Sequence, residues 1–284
     1  MNELIGKLFW SSRPVSWINT AFPFTASYIL ITGKFDITLL IGTFYFLIPY
    51  NLLMYGINDV FDYQSDLNNS RKGGVEGSVL DKKWHRAVII SAILLNVPFL
   101  IWLAMQGSLS SNLVLGFVVF MVVAYSAKHL RFKEIPVLDS ITSSIHFVGP
   151  MVYGLVLVGW QSSYLPFVLA FFAWGAASHS FGAIQDIIPD RKAGIKSIAT
   201  QFGARRVVWL SSGLYFLSGI FLLAQPLPAK IIGLIAWLYL SITIPYIKIT
   251  DKDSEKANLG WKHFMILNLL AGFVITISII LLIK

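Results

Sequence analysis

Apolar residues run along this chain in long blocks that are separated by short polar segments. A helix that crosses a bilayer needs about 20 mostly apolar residues. We predict such a helix in each of nine blocks, at residues 15–33, 38–57, 86–105, 112–128, 136–158, 163–187, 206–224, 229–248 and 262–283. The pattern therefore predicts an all-α membrane protein, with nine transmembrane helices in one integral-membrane domain over residues 1–284.

Composition and charge support this interpretation. The chain is 56% hydrophobic and 13% charged, whereas soluble domains carry about 25% charged residues. If nine spans alternate from a cytoplasmic N-terminus, 19 of the 22 lysine and arginine residues fall on the cytoplasmic side. Basic residues concentrate in cytoplasmic loops, so we predict a multi-pass protein of the cell membrane with a cytoplasmic N-terminus. The formal net charge of +8 then reflects these loops, and we expect no nucleic-acid partner.

Acidic residues follow the second apolar block, in the stretch GINDVFDYQSD at residues 56–66. Asp59, Asp62 and Asp66 are spaced at i, i+3 and i+7, so on a helix they share one face, and Asn58 precedes them. Three negative charges this close repel one another beside the hydrocarbon. The pattern predicts a positively charged partner.

A second acidic pair, Asp186 and Asp190, lies in QDIIPDRKAG at the end of the sixth block. In the predicted topology both groups of aspartates lie at the cytoplasmic face, where we expect them to face each other. Carboxylate oxygens at such a site suit Mg²⁺, which typically bridges a few carboxylates to phosphate oxygens. Pro189 is expected to kink or end the helix between the two aspartates, since proline has no backbone N–H.

Other interpretations of the acidic residues stay open at this point. A single aspartate at a helix end is usually a solvated group, but five in two clusters favour a site for a metal and a diphosphate. Acidic residues inside a membrane also occur in cation transporters, although transporter carboxylates tend to lie near the midplane. A transporter of cations or organic anions is the alternative from a different class.

Several basic residues are candidates for binding a diphosphate, because lysine and arginine pair well with phosphate oxygens. They are Arg13, Arg71, Lys72, Lys128, Arg131 and Lys192. The bias of basic residues towards cytoplasmic loops explains several of them equally well. His146, His179 and Asn51 are polar residues within apolar blocks, which mark either function or hydrogen bonds between helices. Asp139 is expected to orient a basic loop residue.

The two acidic motifs resemble those of the UbiA superfamily of intramembrane prenyltransferases. The first reads Asn-Asp-x-x-Asp-x-x-x-Asp from Asn58 to Asp66, and the second reads Asp-x-x-x-Asp from Asp186 to Asp190. The following stretch, DRKAGIKSIATQFG, is also similar to that family. The resemblance implies a bundle of nine helices with its active site facing the cytoplasm. It also implies that the five aspartates hold Mg²⁺ on an allylic diphosphate, and that Asn58 acts with them.

The loop after the first motif indicates which branch of the superfamily this chain resembles. Many superfamily members that prenylate aromatic rings have an Asn-Arg-Pro segment after the first motif, whereas this chain reads NNSRKGGVEGSVLDKK. Together with SRPVSWINTAFPF and SHSFGAIQDIIPDR, this loop resembles the lycopene elongase branch. That branch implies transfer of a C5 unit from dimethylallyl diphosphate to the end of lycopene or a related carotenoid, which reaches the site through the lipid bilayer. The alternative within the superfamily is a quinone precursor or another lipid as acceptor.

Overall fold

The structure is a computed structural model that describes residues 2–63, 67 and 79–283. Every regular element within these ranges is helical. The helices are α1 Asn2–Ser11, α2 Trp17–Thr32, α3 Ile37–Phe61, α4 Lys82–Gln106, α5 Leu109–Ser126, α6 Leu138–Val158, α7 Leu165–Ile184, α8 Ile187–Ala193, α9 Ile198–Phe202, α10 Ala204–Leu223, α11 Ala229–Tyr246 and α12 Ala257–Ile283. Short 3₁₀ segments lie at Pro14–Ser16, Phe132–Glu134, Ser162–Tyr164 and Asp251–Lys256.

Eight helical stretches in the described part of the chain are long and apolar enough to cross a membrane. They correspond to α3–α7 and α10–α12, so the prediction of an all-helical, multi-pass membrane protein is confirmed. The first predicted span corresponds to α2, which has 16 residues. At 1.5 Å per residue it is about 24 Å long, somewhat less than the bilayer core, and the count of nine stays a prediction. Helix α1 was not predicted.

The chain divides into two compact units. The first comprises Met1–Arg131 and Gly149–Trp160, and the second comprises Phe132–Val148 and Gln161–Lys284. Helix α6 therefore contributes its first half to the second unit and its second half to the first.

The core of the first unit is aromatic. Phe24 of α2 packs against Phe46 of α3 and Tyr153 of α6, with ring centroids 5.2 and 5.9 Å apart. Asp36 caps α3, because its carboxylate accepts hydrogen bonds from the backbone N–H of Leu39 and from the hydroxyl of Tyr28. These two donors stabilise the charged form and hold the pKa of Asp36 below its usual value.

Helix α3 changes its winding just before the first acidic motif. Leu52–Gly56 form a π-helical turn, a feature that often occurs at functional sites. The turn follows Pro49, which lacks a backbone N–H, and the side chain of Asn96 on α4 donates a 2.7 Å hydrogen bond to the Pro49 carbonyl. The side chain of Asn51 donates to Thr20 Oγ1 at 2.6 Å and to the Phe46 carbonyl. Of the two roles predicted for Asn51, function or hydrogen bonding between helices, the structure shows the second.

The second unit has two apolar clusters. One is aromatic, with the rings of Tyr215 on α10 and Tyr239 on α11 stacked at 5.2 Å. The other surrounds Phe181 and Ile184 at the end of α7. Gly203 separates α9 from α10 with φ 82° and ψ 156°, a backbone conformation that is essentially restricted to glycine.

Candidate functional site

The first acidic motif occupies the end of α3, in the first unit. The Asp59 side chain is almost completely buried, and its Oδ1 accepts a hydrogen bond from Arg13 Nη2 at 2.5 Å. Arg13 lies between α1 and α2, and its guanidinium carbon is 5.2 Å from the centre of the Tyr55 ring. The predicted positive partner of this motif is therefore an arginine 46 residues earlier in the chain.

Asp62 follows the last residue of α3 and has an arginine of its own. Arg131 Nη2 lies 3.4 Å from Asp62 Oδ1, and Arg131 Nη1 donates to the Phe61 carbonyl at 3.4 Å. Both arginines have left-handed backbones, with φ 53° at Arg13 and 43° at Arg131. This conformation is uncommon for residues other than glycine and costs about 1–3 kcal/mol. Such strain is concentrated at functional sites, which supports a functional role for the two pairs.

The other residues of this motif are described only in part. The side-chain amide of Asn58 donates a 3.0 Å hydrogen bond to Ser126 Oγ at the end of α5. Asp66, Arg71 and Lys72 lie outside the described residues, so their predicted roles stay predictions.

The second acidic motif lies in the second unit, where α7 gives way to α8. Helix α7 ends at Ile184, Asp186 is the N-cap residue of α8, and Asp190 N donates to the Asp186 carbonyl at 2.9 Å. The prediction of a helix break at Pro189 is wrong. The break precedes Asp186, and Pro189 lies in the first turn of α8, where a missing N–H leaves no helical hydrogen bond unmade. Asp186 and Asp190 are thus one helical turn apart.

Basic residues around the motifs have different surroundings. Arg191 Nη1 lies 2.7 Å from Asp251 Oδ2, and Arg191 Nη2 donates to the Thr200 carbonyl at 2.9 Å. Asp251 Oδ1 also accepts from the backbone N–H of Ala204 at 2.7 Å. These contacts hold the segment after the second motif in place. Lys128 and Lys192, two of the predicted diphosphate ligands, are exposed.

Sequence reasoning missed Asp251. It lies 60 residues after Arg191, and an acidic residue just before an apolar block is ordinary in a membrane protein. Only its contacts identify it, since one carboxylate caps α10 and pairs with an arginine.

The described carboxylates fit Mg²⁺ by the chemistry of their oxygens. Asp59 and Asp62 offer carboxylate oxygens, the ligands that Mg²⁺ prefers in proteins. Arg13 and Arg131 beside them suit an anion such as a diphosphate. Within residues 2–63, 67 and 79–283, no group of three or more His, Asp or Glu side chains lies close enough together to hold a metal ion. The predicted set also includes Asp66, outside those ranges, and two aspartates of the second unit.

Comparison with known proteins decides the family. The model of the UbiA prenyltransferase family matches residues 20–279. The chain belongs to the UbiA prenyltransferase family. The predicted resemblance is thereby confirmed, and so is the prediction of an enzyme. The transporter interpretation of the acidic residues is set aside.

Two relatives of this UbiA chain carry names from carotenoid metabolism. The lycopene elongase/hydratase of Corynebacterium glutamicum is 46% identical over 99% of this chain and 98% of the relative. The C(50) beta-cyclic carotenoids biosynthesis protein LbtBC of Dietzia sp. (strain CQ4) is 51% identical over 96% of this chain. This chain spans 64% of the length of the Dietzia protein. The predicted likeness to the lycopene elongase branch is confirmed at the level of these relatives.

Solved structures show the same fold. A UbiA homolog from Archaeoglobus fulgidus, in a structure bound to DMAPP and Mg²⁺, matches with a TM-score of 0.70. It is 23% identical, and the match covers 96% of this chain and 99% of that protein. At this identity the likeness establishes the UbiA fold of the chain.

Proposed function

We propose that the protein transfers a C5 dimethylallyl-type group from its diphosphate to the end of a C40 carotenoid such as lycopene, in a reaction that uses Mg²⁺. The observation that carries the proposal is the pairing of Asp59 and Asp62 with two strained arginines at the end of α3. The names of the Corynebacterium and Dietzia relatives support a carotenoid acceptor. The Archaeoglobus homolog with DMAPP and Mg²⁺ supports the donor and the metal.

The site residues are proposed on the same basis. The carboxylates that would hold Mg²⁺ are Asp59, Asp62, Asp66, Asp186 and Asp190, and Asn58 acts beside them. The cations that would bind the diphosphate are Arg13, Arg71, Lys72, Lys128, Arg131 and Lys192. The two motifs belong to different compact units, and their meeting at one site is part of the proposal.

The chemistry requires the bond between the allylic carbon and the diphosphate oxygen to break, with its electron pair leaving on the diphosphate. Bound Mg²⁺ would supply charge neutralisation on that leaving group. Arg13 and Arg131 add fixed positive charge close to the same carboxylates, and preorganised charge of this kind lowers the barrier. The electron-rich end of the polyene then bonds to the allylic carbon. Loss of a proton or capture of water completes the step.

Tyr55 gives the site an aromatic side chain. It lies against Arg13 and packs against the buried apolar core of the first unit. Aromatic faces attract cations, and exclusion of water protects a reactive carbocation. A long carotenoid gains from such surroundings, whereas an aromatic acid would have to bury an unpaired carboxylate at a cost of several kcal/mol.

We further propose nine spans in one domain over residues 1–284, with the N-terminus and the active site facing the cytoplasm. Contacts within the first unit support α2 as an additional span, which brings the count from eight to nine. Arg13, before α2, pairs with Asp59 near the end of α3, and four residues join α2 to α3. Helix α2 therefore runs back along α3, which is long enough to cross the membrane.

The test of this function is a reaction of the purified protein with lycopene, dimethylallyl diphosphate and Mg²⁺, followed by mass analysis of the pigment. We expect products heavier by one or two C5 units, and no product with 4-hydroxybenzoate. Asp62→Asn should lower the rate about 100-fold or more, since it removes a proposed ligand of the Mg²⁺ that would neutralise charge on the leaving group. Asp36→Asn, at the other end of α3, is the matched control and should leave the rate unchanged. Prenylation of the aromatic acid with lycopene untouched would contradict the carotenoid acceptor.

A further inference from the structure

A carboxylate outside the two motifs is completely buried in the second unit. Asp139 is the second residue of α6 and has 0% exposure. A buried carboxylate costs several kcal/mol unless its oxygens are hydrogen-bonded. The position favours a negative charge, because the first turn of a long helix carries partial positive charge. The family motifs do not include this residue, and the proposed chemistry has not used it.

The two oxygens of Asp139 accept hydrogen bonds from two different residues. Oδ1 accepts from the backbone N–H of Ser140 at 2.7 Å and from Ser140 Oγ at 3.3 Å. Oδ2 accepts from the backbone N–H of Ile198 at 2.7 Å. Ile198 is the first residue of α9, so its N–H has no acceptor within that helix. The carboxylate thus joins the start of α6 to a segment 59 residues later.

The same carboxylate also reaches the helix that leads into the second motif. His179 Nε2 on α7 lies 3.8 Å from Asp139 Oδ2. Next to it, Ser180 Oγ donates to Ser140 Oγ at 3.0 Å. Asp139 and Ser140 therefore contact α7 before the second motif and α9 after it. The residues between those contacts include Asp186, Asp190 and Lys192.

The backbone leading to Asp139 is strained. Val137 has φ 75°, which is a genuine outlier for a β-branched residue. Such conformations persist only where the surroundings hold them in place. The hydrogen bond from Ile141 N to the Val137 carbonyl, at 3.0 Å, fixes this turn. The start of α6 is therefore held at one position, as an anchor requires.

We propose that Asp139 is a positioning residue, whose buried carboxylate ties α6 to α9 and so holds Asp186–Lys196 in the geometry that binds a metal diphosphate. The proposal rests on the proposed function for the identity of the ligand. The anchoring itself rests on the contacts of Asp139 alone. This positioning role differs from a packing role, because loss of the Asp139 carboxylate should change the segment Asp186–Lys196 and leave the remaining helices intact.

Two variants test the hydrogen bond between Asp139 and Ile198, one by changing the acceptor and the other by removing the donor. Asp139→Asn keeps the shape, but its NH₂ group would face either the Ser140 or the Ile198 N–H, so one acceptor is lost. Ile198→Pro removes the donor, and proline is tolerated at the first position of a helix. The preceding Ser197 has φ −151° and ψ 171°, the extended backbone that a following proline requires.

Two matched controls accompany them. Ile198→Val trims the side chain and keeps the N–H. Ser144→Ala removes a 2.8 Å hydrogen bond from α6 to the Phe172 carbonyl of α7. It weakens the contact between α6 and α7 and leaves the link from α6 to α9 in place.

The readout independent of turnover is tryptic cleavage of the purified full chain after Lys192 and Lys196, both of which are exposed. Cleavage after the exposed Lys34, between α2 and α3, is the internal reference. We expect Asp139→Asn and Ile198→Pro to speed cleavage after Lys192 and Lys196, with Lys34 and both controls unchanged. Binding of inorganic diphosphate with Mg²⁺ should weaken about 10-fold in the same two variants, as when a supporting partner of a metal site is lost.

The outcomes separate the anchor from the proposed function. Unchanged cleavage and unchanged diphosphate affinity in a folded Asp139→Asn protein would overturn the positioning role. If Asp139→Asn fails to accumulate, Ile198→Pro against Ile198→Val decides. Wild-type protein that binds no diphosphate would overturn the proposed function, and the cleavage rates would then decide the anchoring by themselves.

Discussion

At the scale of residues, the spacing of the aspartates predicted a face of negative charge but not the identity of its partners. Arg13 and Arg131 are 46 and 69 residues from the carboxylates they contact. Both were among the six candidates for binding a diphosphate, but nothing local in the sequence assigns either arginine to a particular carboxylate. Their left-handed backbones are also invisible in the sequence, because tertiary contacts impose that conformation against the preference of an arginine.

The pair of Arg13 and Asp59 allows stability to be separated from catalysis. Their side chains are 10% and 0% exposed. Arg13→Met should lower the free energy of unfolding by about 3–5 kcal/mol, because it leaves a buried carboxylate without its arginine. Adding Asp59→Asn should recover part of that loss, since the buried charge is then removed as well. Unfolding in detergent, compared across the wild type, both single variants and the double variant, measures the coupling.

Prenyl transfer should follow a different pattern in the same four proteins. We expect it to be lost in both single variants and to stay lost in the double variant, because a neutral pair cannot hold a metal diphosphate. A double variant that transfers prenyl groups at the wild-type rate would show that the pair acts only in folding.

At the scale of elements, the apolar blocks placed the long helices to within a few residues, since a bilayer-crossing helix has a length set by the membrane. Three features escaped this reasoning. Helix α1 is too short to give such a signal, and the π-turn at Leu52–Gly56 leaves the apolar pattern unbroken. The break before Asp186 was assigned to Pro189, although proline is compatible with a first helical turn.

The junction between α9 and α10 depends on a glycine. Gly203 has φ 82°, and a Cβ added there would lie 3.0 Å from Asp251 Oδ1. Gly203→Ala should therefore lower the free energy of unfolding by about 1–3 kcal/mol, and it should disturb the cap that Asp251 provides to α10. Gly213→Ala, within α10 and with open space around its Cβ, is the control and should be neutral or stabilising by about 0.5–1 kcal/mol. Equal thermal midpoints for the two variants would contradict this role of Gly203.

At the scale of the whole molecule, the distribution of basic residues carries the orientation. The asymmetry of 19 against three lysine and arginine residues depends on every span being counted correctly, because one omitted span reverses the sides of all later loops. The decisive element is α2, whose 16 residues fall just below the usual minimum of about 17 for crossing a bilayer. One contact of α1 bears on the side of the membrane that the N-terminal helix occupies. Lys83 Nζ at the start of α4 lies 3.8 Å from Glu3 Oε1, so α1 lies on the same side as the start of α4.

The number of spans can be measured directly, because the chain has no cysteine and each introduced cysteine is the only one present. In intact cells a membrane-impermeant maleimide should label Lys34→Cys and Lys230→Cys, which the nine-span topology places outside. It should not label Glu3→Cys or Lys252→Cys until the membrane is permeabilised. All four positions are exposed, so failure to react reports the side of the membrane rather than burial. Labelling of Glu3→Cys and Lys34→Cys from the same side would show that α2 does not cross. The first motif, fixed to the start of α2 through Arg13 and Asp59, would then no longer be tied to the cytoplasmic face by this helix.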